Sequence, residues 1–137
     1  MISTTYISQA SESFSDEDLL KLLAQCHRNN TANGVTGMLL FGNTTFVQCL
    51  EGEQANVDEL LVKIGADPRH TGIKVLRRVP IAARNFSEWT MGFEQVTKGA
   101  LAEVPGLCNF GLGDFNPEYL ESNPEMVDTL LRWGRRA

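Results

Sequence analysis

The chain has 137 residues, 42% of them hydrophobic, and a formal net charge of -5. That length suits one compact domain, the apolar fraction excludes a disordered chain, and the mild acidity argues against nucleic acid or an anionic membrane as main partner. No run approaches the ~18 apolar residues of a membrane span, the N-terminus lacks a signal peptide's basic flank, and Cys26, Cys49 and Cys108 are not at metal spacing, so a reducing cytoplasm is the expected setting.

In chain order, Thr4 to Ser8 is β-prone. Ser15 reads as a helix N-cap, with Asp18 three residues on in the place of the capping-box Glu. Leu19, Leu20, Leu22, Leu23 and Cys26 form one helical stripe, which predicts a helix from Asp16 to Arg28, ended by "NNTANG" with a turn at Asn33-Gly34. Val35 to Phe41 and Thr45 to Leu50 flank a short polar turn and read as a hairpin. Ala55, Val57, Leu60, Leu61 and Ile64 predict a second helix from Gln54 to Ala66. A turn at "ADPRHTG" precedes a strand from Ile73 to Val79, and Trp89 to Val96 reads as a last strand containing Gly92.

The order βαββαββ predicts an α+β, ferredoxin-like antiparallel sheet with both helices on one face. The other face would be left apolar and open. After an irregular Gly-rich stretch, Asn123 and Pro124 open a final helix with Met126, Val127, Leu130, Leu131 and Trp133 on one side. That helix is expected to cover the open face or to meet a partner chain.

Ordinary catalytic motifs are missing: there is no GxGxxG, P-loop, HExxH or CxxC. His27 and His70 read as structural, and Glu51 and Asp67 as single carboxylates near turns. Arg77, Arg78 and Arg84 fit a solvated strand end, while Lys63 and Arg69 are available to meet a phosphate. The informative residues are polar ones where core is expected: Tyr6 and Gln48 on strands, and Asn29 and Asn30 where the first helix should end. Burying an unpaired amide costs about 1–3 kcal/mol. Either Gln48 points outward and Asn30 is a helix C-cap, or these groups face a planar heterocycle wedged between the helices. Ile7, Leu23 and Leu40 are candidate apolar walls for such a ring, depending on strand phase.

The segments "TYIS", "NNTANGVTGMLLF", "FVQCLEG", "DPRH" and "RNFSEWTMGF", in this order from Tyr6 to Phe93, resemble a BLUF domain, the family of blue-light sensors using FAD. The resemblance implies a sensor domain over 1–96 and a C-terminal extension over 97–137 that relays signal or contacts another copy. It implies FAD held non-covalently, with FMN or riboflavin as substitutes. Tyr6 matches the family's photoactive tyrosine, and Gln48 the glutamine bonded to that tyrosine and to the flavin. Asn30 matches the asparagine at the ring's polar edge, and Asn29 its neighbour. Lys63 stands where relatives carry an arginine close to the flavin, and Asp67, Arg69 and His70 match a turn whose acid lies near the cofactor. Trp89 and Met91 match the pair that passes the signal outward.

The implied photochemistry moves an electron and then a proton out of Tyr6 under blue light. A phenol with a pKa near 10 would not release that proton without excitation. Gln48 rotates or tautomerises in the interval and presents a new donor to the flavin C4 carbonyl, which shifts absorption to the red. The resemblance implies that nothing is catalysed, and residues 97–137 are expected to be too short for a fused effector. The expected partners are a separate signalling protein and further copies of the chain. The alternatives are a small enzyme on the same fold and a pigment-free interaction module.

Overall fold

The structure is a computed structural model, and it describes residues 1–12, 14–87, 91–102 and 112–134. Its elements are β1 (Ile2–Ala10), α1 (Asp16–Asn33), β2 (Thr36–Gly42), β3 (Thr45–Gly52), α2 (Gln54–Gly65), β4 (His70–Pro80), β5 (Gly92–Gln95), α3 (Lys98–Ala102), a 3₁₀ turn (Leu112–Asp114), α4 (Pro117–Ser122) and α5 (Pro124–Gly134). The five strands lie in the order β4-β1-β3-β2-β5. The first four strands make the expected antiparallel, ferredoxin-like sheet. β5 departs from it by pairing parallel to β2, with Met38 opposite Gly92.

Local chemistry explains the element ends. Ser15 and Asp18 form a reciprocal capping box at the start of α1. α1 runs five residues past the expected Arg28, through Asn29 and Asn30, to Asn33. It stops where Gly34 takes the left-handed conformation (φ 65°) and its N–H returns to the Asn30 carbonyl. The β2–β3 hairpin turns through Asn43 and Thr44, both at positive φ, the backbone that matches the twist of the flanking strands.

Side-chain alternation divides the sheet into two buried faces. Ile2, Tyr6, Leu39, Phe46 and Leu50 face α1 and α2 and pack with Leu19, Val57 and Leu60. Ile7, Met38, Leu40, Val47 and Cys49 face the other way, against Phe115, Leu120, Val127, Leu130 and Trp133 of the C-terminal segment. The final helix therefore covers the open face of its own sheet. It sits so close to β2 that a side chain at Gly134 would come within 2.9 Å of Leu40. Asn123 precedes α5 as expected, but its amide donates back to the Tyr119 carbonyl at 2.8 Å.

β4 and β5 occupy opposite edges, and residues 81–87 begin the crossing from one to the other. Two side chains hold that crossing. The Glu51 carboxylate, fully buried, accepts the backbone N–H groups of Asn85 and Phe86, each at 2.8 Å. The Arg84 guanidinium donates to the carbonyls of Gly34 and Glu51 and to Thr36 Oγ1. Arg84 is thus an internal clamp and not part of a solvated strand end. Arg77 and Arg78 also have partners, Asp128 of α5 and Asp58 of α2. Along the β4 edge such charges discourage pairing with other chains more than they stabilise, since exposed pairs contribute about 0–1 kcal/mol.

Replacing Glu51 with Ala removes the carboxylate that the Asn85 and Phe86 N–H groups donate to, the second of them buried, and is expected to destabilise the fold by roughly 2–4 kcal/mol. Glu51→Gln keeps one acceptor and should cost about half as much. Denaturant midpoints at constant slope check both values.

Candidate functional site

β1 and β3 pair so that Tyr6 lies directly opposite Gln48. Both side chains project toward α1 and α2, and both are 3% exposed. Gln48 does not point outward. Its Oε1 accepts a short hydrogen bond from the Tyr6 hydroxyl, and its Nε2 donates to the Met91 sulfur at 3.4 Å. Met91 is itself buried, at the last step before β5. Tyr6, Gln48 and Met91 thus form one continuous hydrogen-bonded chain across three separated stretches of sequence.

Asn29 and Asn30 belong to the last turns of α1. Asn30 serves the helix terminus through its backbone carbonyl, which accepts from Val35. That leaves its buried side chain to line the cleft between α1 and α2, beside Asn29, Gln25, Lys63 and Gln48. Asp67 and Arg69 close one end of this cleft. The Asp67 carboxylate accepts from the Arg69 backbone N–H at 2.9 Å and from its guanidinium, which also donates to Gln25 Oε1 at 2.6 Å. The hydrogen bonds from Arg69 hold the Asp67 carboxyl below the usual carboxylate range. Lys63 stands exposed at the rim near Glu59.

His70 has the structural role expected of it. One ring nitrogen meets Ser8 Oγ at 2.8 Å, and the other donates to the Ile64 carbonyl at 2.6 Å, tying β4 to β1 and to the end of α2. His27 lies exposed within α1. Cys49 is a buried strand residue, and Cys26 lines the cleft next to Tyr6 and Gln48. Trp89 and Cys108 lie outside the described residues.

Of the three expected walls, Leu23 packs on the α1–α2 side of the sheet, while the other two need correcting. Ile7 and Leu40 belong to the opposite face of the sheet, one strand position out of phase with Tyr6 and Leu39. The cleft walls are Leu22, Leu39, Phe46, Leu60 and Ile64. Sequence reasoning also missed Gln25, whose place one turn ahead of Asn29 was the signal available for it. The cleft's two lobes hold about 30 and 50 Å³ of free space, far less than the 430 Å³ cavity behind the sheet. What distinguishes the cleft is its donor set: three buried or half-buried amides, a phenol, two cations at the rim and apolar side walls. This set fits a planar ring that carries carbonyls and an imide N–H and is joined to an anionic tail.

Fold and cleft together define a ferredoxin-like α+β domain with a polar-lined cleft between α1 and α2. Residues 1–92 match the sequence family described as BLUF, sensors of blue-light using FAD. The chain belongs to this family, whose domains bind flavin and sense blue light. It is 39% identical to the photoactivated adenylate cyclase subunit beta of Euglena gracilis over 104 residues, 75% of this chain. The match covers only 12% of that longer protein. Among solved structures, BlsA in its photo-activated state aligns with a TM-score of 0.80 at 33% identity, covering 95% of this chain and 93% of that one. The dark state of BlrB, a BLUF protein, aligns at 0.76 and 32%, covering 96% and 92%.

Burial raises the Tyr6 phenol far above its ordinary pKa, with smaller contributions from Cys26 and Asp67. A raised folded-state pKa favours the neutral phenol, so this contribution to stability is complete below about pH 10, the unfolded value, and fades above it. Difference absorbance between wild type and Tyr6→Phe should therefore show no Tyr6 phenolate while the chain is folded. The variant should also lose less stability than wild type as pH rises beyond that point.

Proposed function

We propose that the cleft holds FAD without a covalent bond, and that the Tyr6–Gln48 pair is its light-driven switch. FMN or riboflavin would serve as substitutes, because the ring and not the nucleotide end meets the switch. The observation that carries this reading is the buried Tyr6–Gln48–Met91 chain. Gln48 and Asn30 would address the polar edge of the ring, with Asn29 beside them. Lys63 and the Asp67–Arg69 pair would meet the tail, and Met91 would close the ring's far side. Entry of the ring requires α1 and α2 to part, which breaks the Arg69–Gln25 hydrogen bond.

When bound, the flavin supplies absorption of blue light and an acceptor for an electron and a proton. The protein does the rest through Tyr6 and Gln48. The raised pKa of Tyr6 keeps its proton in place in the dark. The Oη proton faces Gln48 Oε1 and no bulk water. Rotating the Gln48 amide by half a turn would place Nε2 at the tyrosine oxygen and Oε1 at the Met91 sulfur. Two acceptors would then face each other and the Nε2–Sδ bond would be lost. Tautomerisation would likewise change which atoms carry protons. Either way Met91 registers the state of the amide. Gly92 follows immediately and pairs with Met38 of β2, the strand on which α5 rests. Residues 97–137 would pass this change to a separate partner protein or to another copy of the chain, in the cytoplasm.

Purified protein should be yellow, with an absorption spectrum that shifts reversibly to the red under blue light. Tyr6→Phe should abolish the normal shift while retaining most of the flavin, read as the flavin-to-protein ratio. A chain that takes up no flavin, or a Tyr6→Phe variant with an unaltered cycle, would refute the assignment.

Met91→Ala should preserve the red shift yet uncouple it from α5. Trp133 fluorescence or amide exchange over residues 124–134, compared in light and dark, reads this coupling. An unchanged light response of α5 would exclude Met91 as the exit.

A further inference from the structure

A cavity lies on the opposite side of the sheet from the cleft, between β1, β4, the crossing segment and α5. Its volume, about 430 Å³, falls in the range of small-molecule sites. Its floor is unusual for a covered sheet face. Ser3, Thr5 and Cys49 are all buried there, and Ser3 Oγ lies 3.3 Å from Cys49 Sγ. Small polar side chains leave space where the neighbouring Ile7, Val47 and Leu40 fill theirs against α4 and α5.

The cavity lining is chemically mixed. Val79, Pro80, Ile81, Phe86 and Leu131 give it apolar surface. Arg77, Arg132 and Asp128 give it charge. Arg77 is already neutralised by Asp128, with its Nη1 at 2.7 Å from the carboxylate. Arg132 meets only Thr129 Oγ1, at 3.4 Å, and has no carboxylate partner among the described residues. The Arg132 guanidinium is therefore a charge that no carboxylate among the described residues neutralises, in a lining that also holds hydroxyls and apolar side chains. A guanidinium fork matches a carboxylate in bidentate fashion.

We propose that this cavity is a second ligand site, for a small organic carboxylate. The apolar body lies along Ile81, Phe86 and Leu131, the carboxylate meets Arg132, and the Ser3 and Thr5 hydroxyls satisfy its remaining lone pairs. The floor is also the reverse side of the switch. Thr5 pairs with Cys49 one step along the ladder from Tyr6 and Gln48, so an occupant rests one strand thickness behind that pair. The proposal does not depend on the flavin assignment.

The test is calorimetric titration of the full chain, with its flavin, using benzoate as the probe. Saturable one-site binding is expected. Arg132→Met and Thr5→Val should each weaken it at least tenfold, and Arg132→Lys should weaken it less than Arg132→Met. Arg132 is exposed, so its variants should fold normally, which the flavin spectrum and thermal midpoint verify. Absence of saturable benzoate binding would overturn the proposal, as would equal affinity in wild type and Arg132→Met. Binding of inorganic phosphate without benzoate would overturn the carboxylate assignment.

Discussion

The pairing of Tyr6 with Gln48 across β1 and β3 is the constraint on which the cleft depends. Strand alternation sends both side chains to the helix-covered face, where neither has water to solvate it. A phenol and an amide in that position must satisfy each other, and their hydrogen bond does so while leaving the amide nitrogen for a further partner. A slip of one residue in this ladder would send Gln48 to the opposite face and place Val47 or Cys49 beside the tyrosine's side of the sheet. The register is therefore specified by burial on both faces and by the tight turn at Asn43-Thr44.

A second constraint brings Met91 to that amide. The chain leaves β4 at one edge of the sheet and has to enter β5 at the other. Glu51 and Arg84 pin the crossing by giving backbone groups at the sheet end charged partners, which are stronger than neutral ones. Glu51 stands three residues beyond Gln48 on the same strand, facing the other side. β3 thus carries Gln48 on one face and the anchor of the crossing on the other. A disturbance at Gln48 has a short mechanical route to β5 and, through β2, to α5.

Much of the fold is legible in the sequence. The apolar stripes of both helices, the capping box at Ser15 and Asp18 and the hairpin all depend on local spacing, and local spacing is what periodicity reports. The resemblance to a known family singled out Tyr6, Gln48 and Met91, which no residue pattern would have joined. The extension of α1 through Asn29 and Asn30 was hidden because two asparagines beside a Gly read as a stop, although the helix is held by packing and ends only at Gly34. The parallel pairing of β5 and the role of Arg84 were hidden because they depend on where the chain goes between two distant strands.

The sequence by itself determined the five strands, the two helices between them and the final helix, together with the α+β class and the family, because these rest on short-range periodicity and on motifs kept in order; the short α3 and α4 were not legible in it. Only the tertiary structure decided which face each strand residue takes. It moved Ile7 and Leu40 away from the cleft, put Leu39, Phe46 and Ile64 in their place, and turned α5 onto its own sheet. It also turned Glu51 from a carboxylate near a turn into the anchor of a crossing. The physical reason is that strand phase and long-range hydrogen bonding are settled by what covers each face of the sheet, and that covering comes from residues far away in sequence.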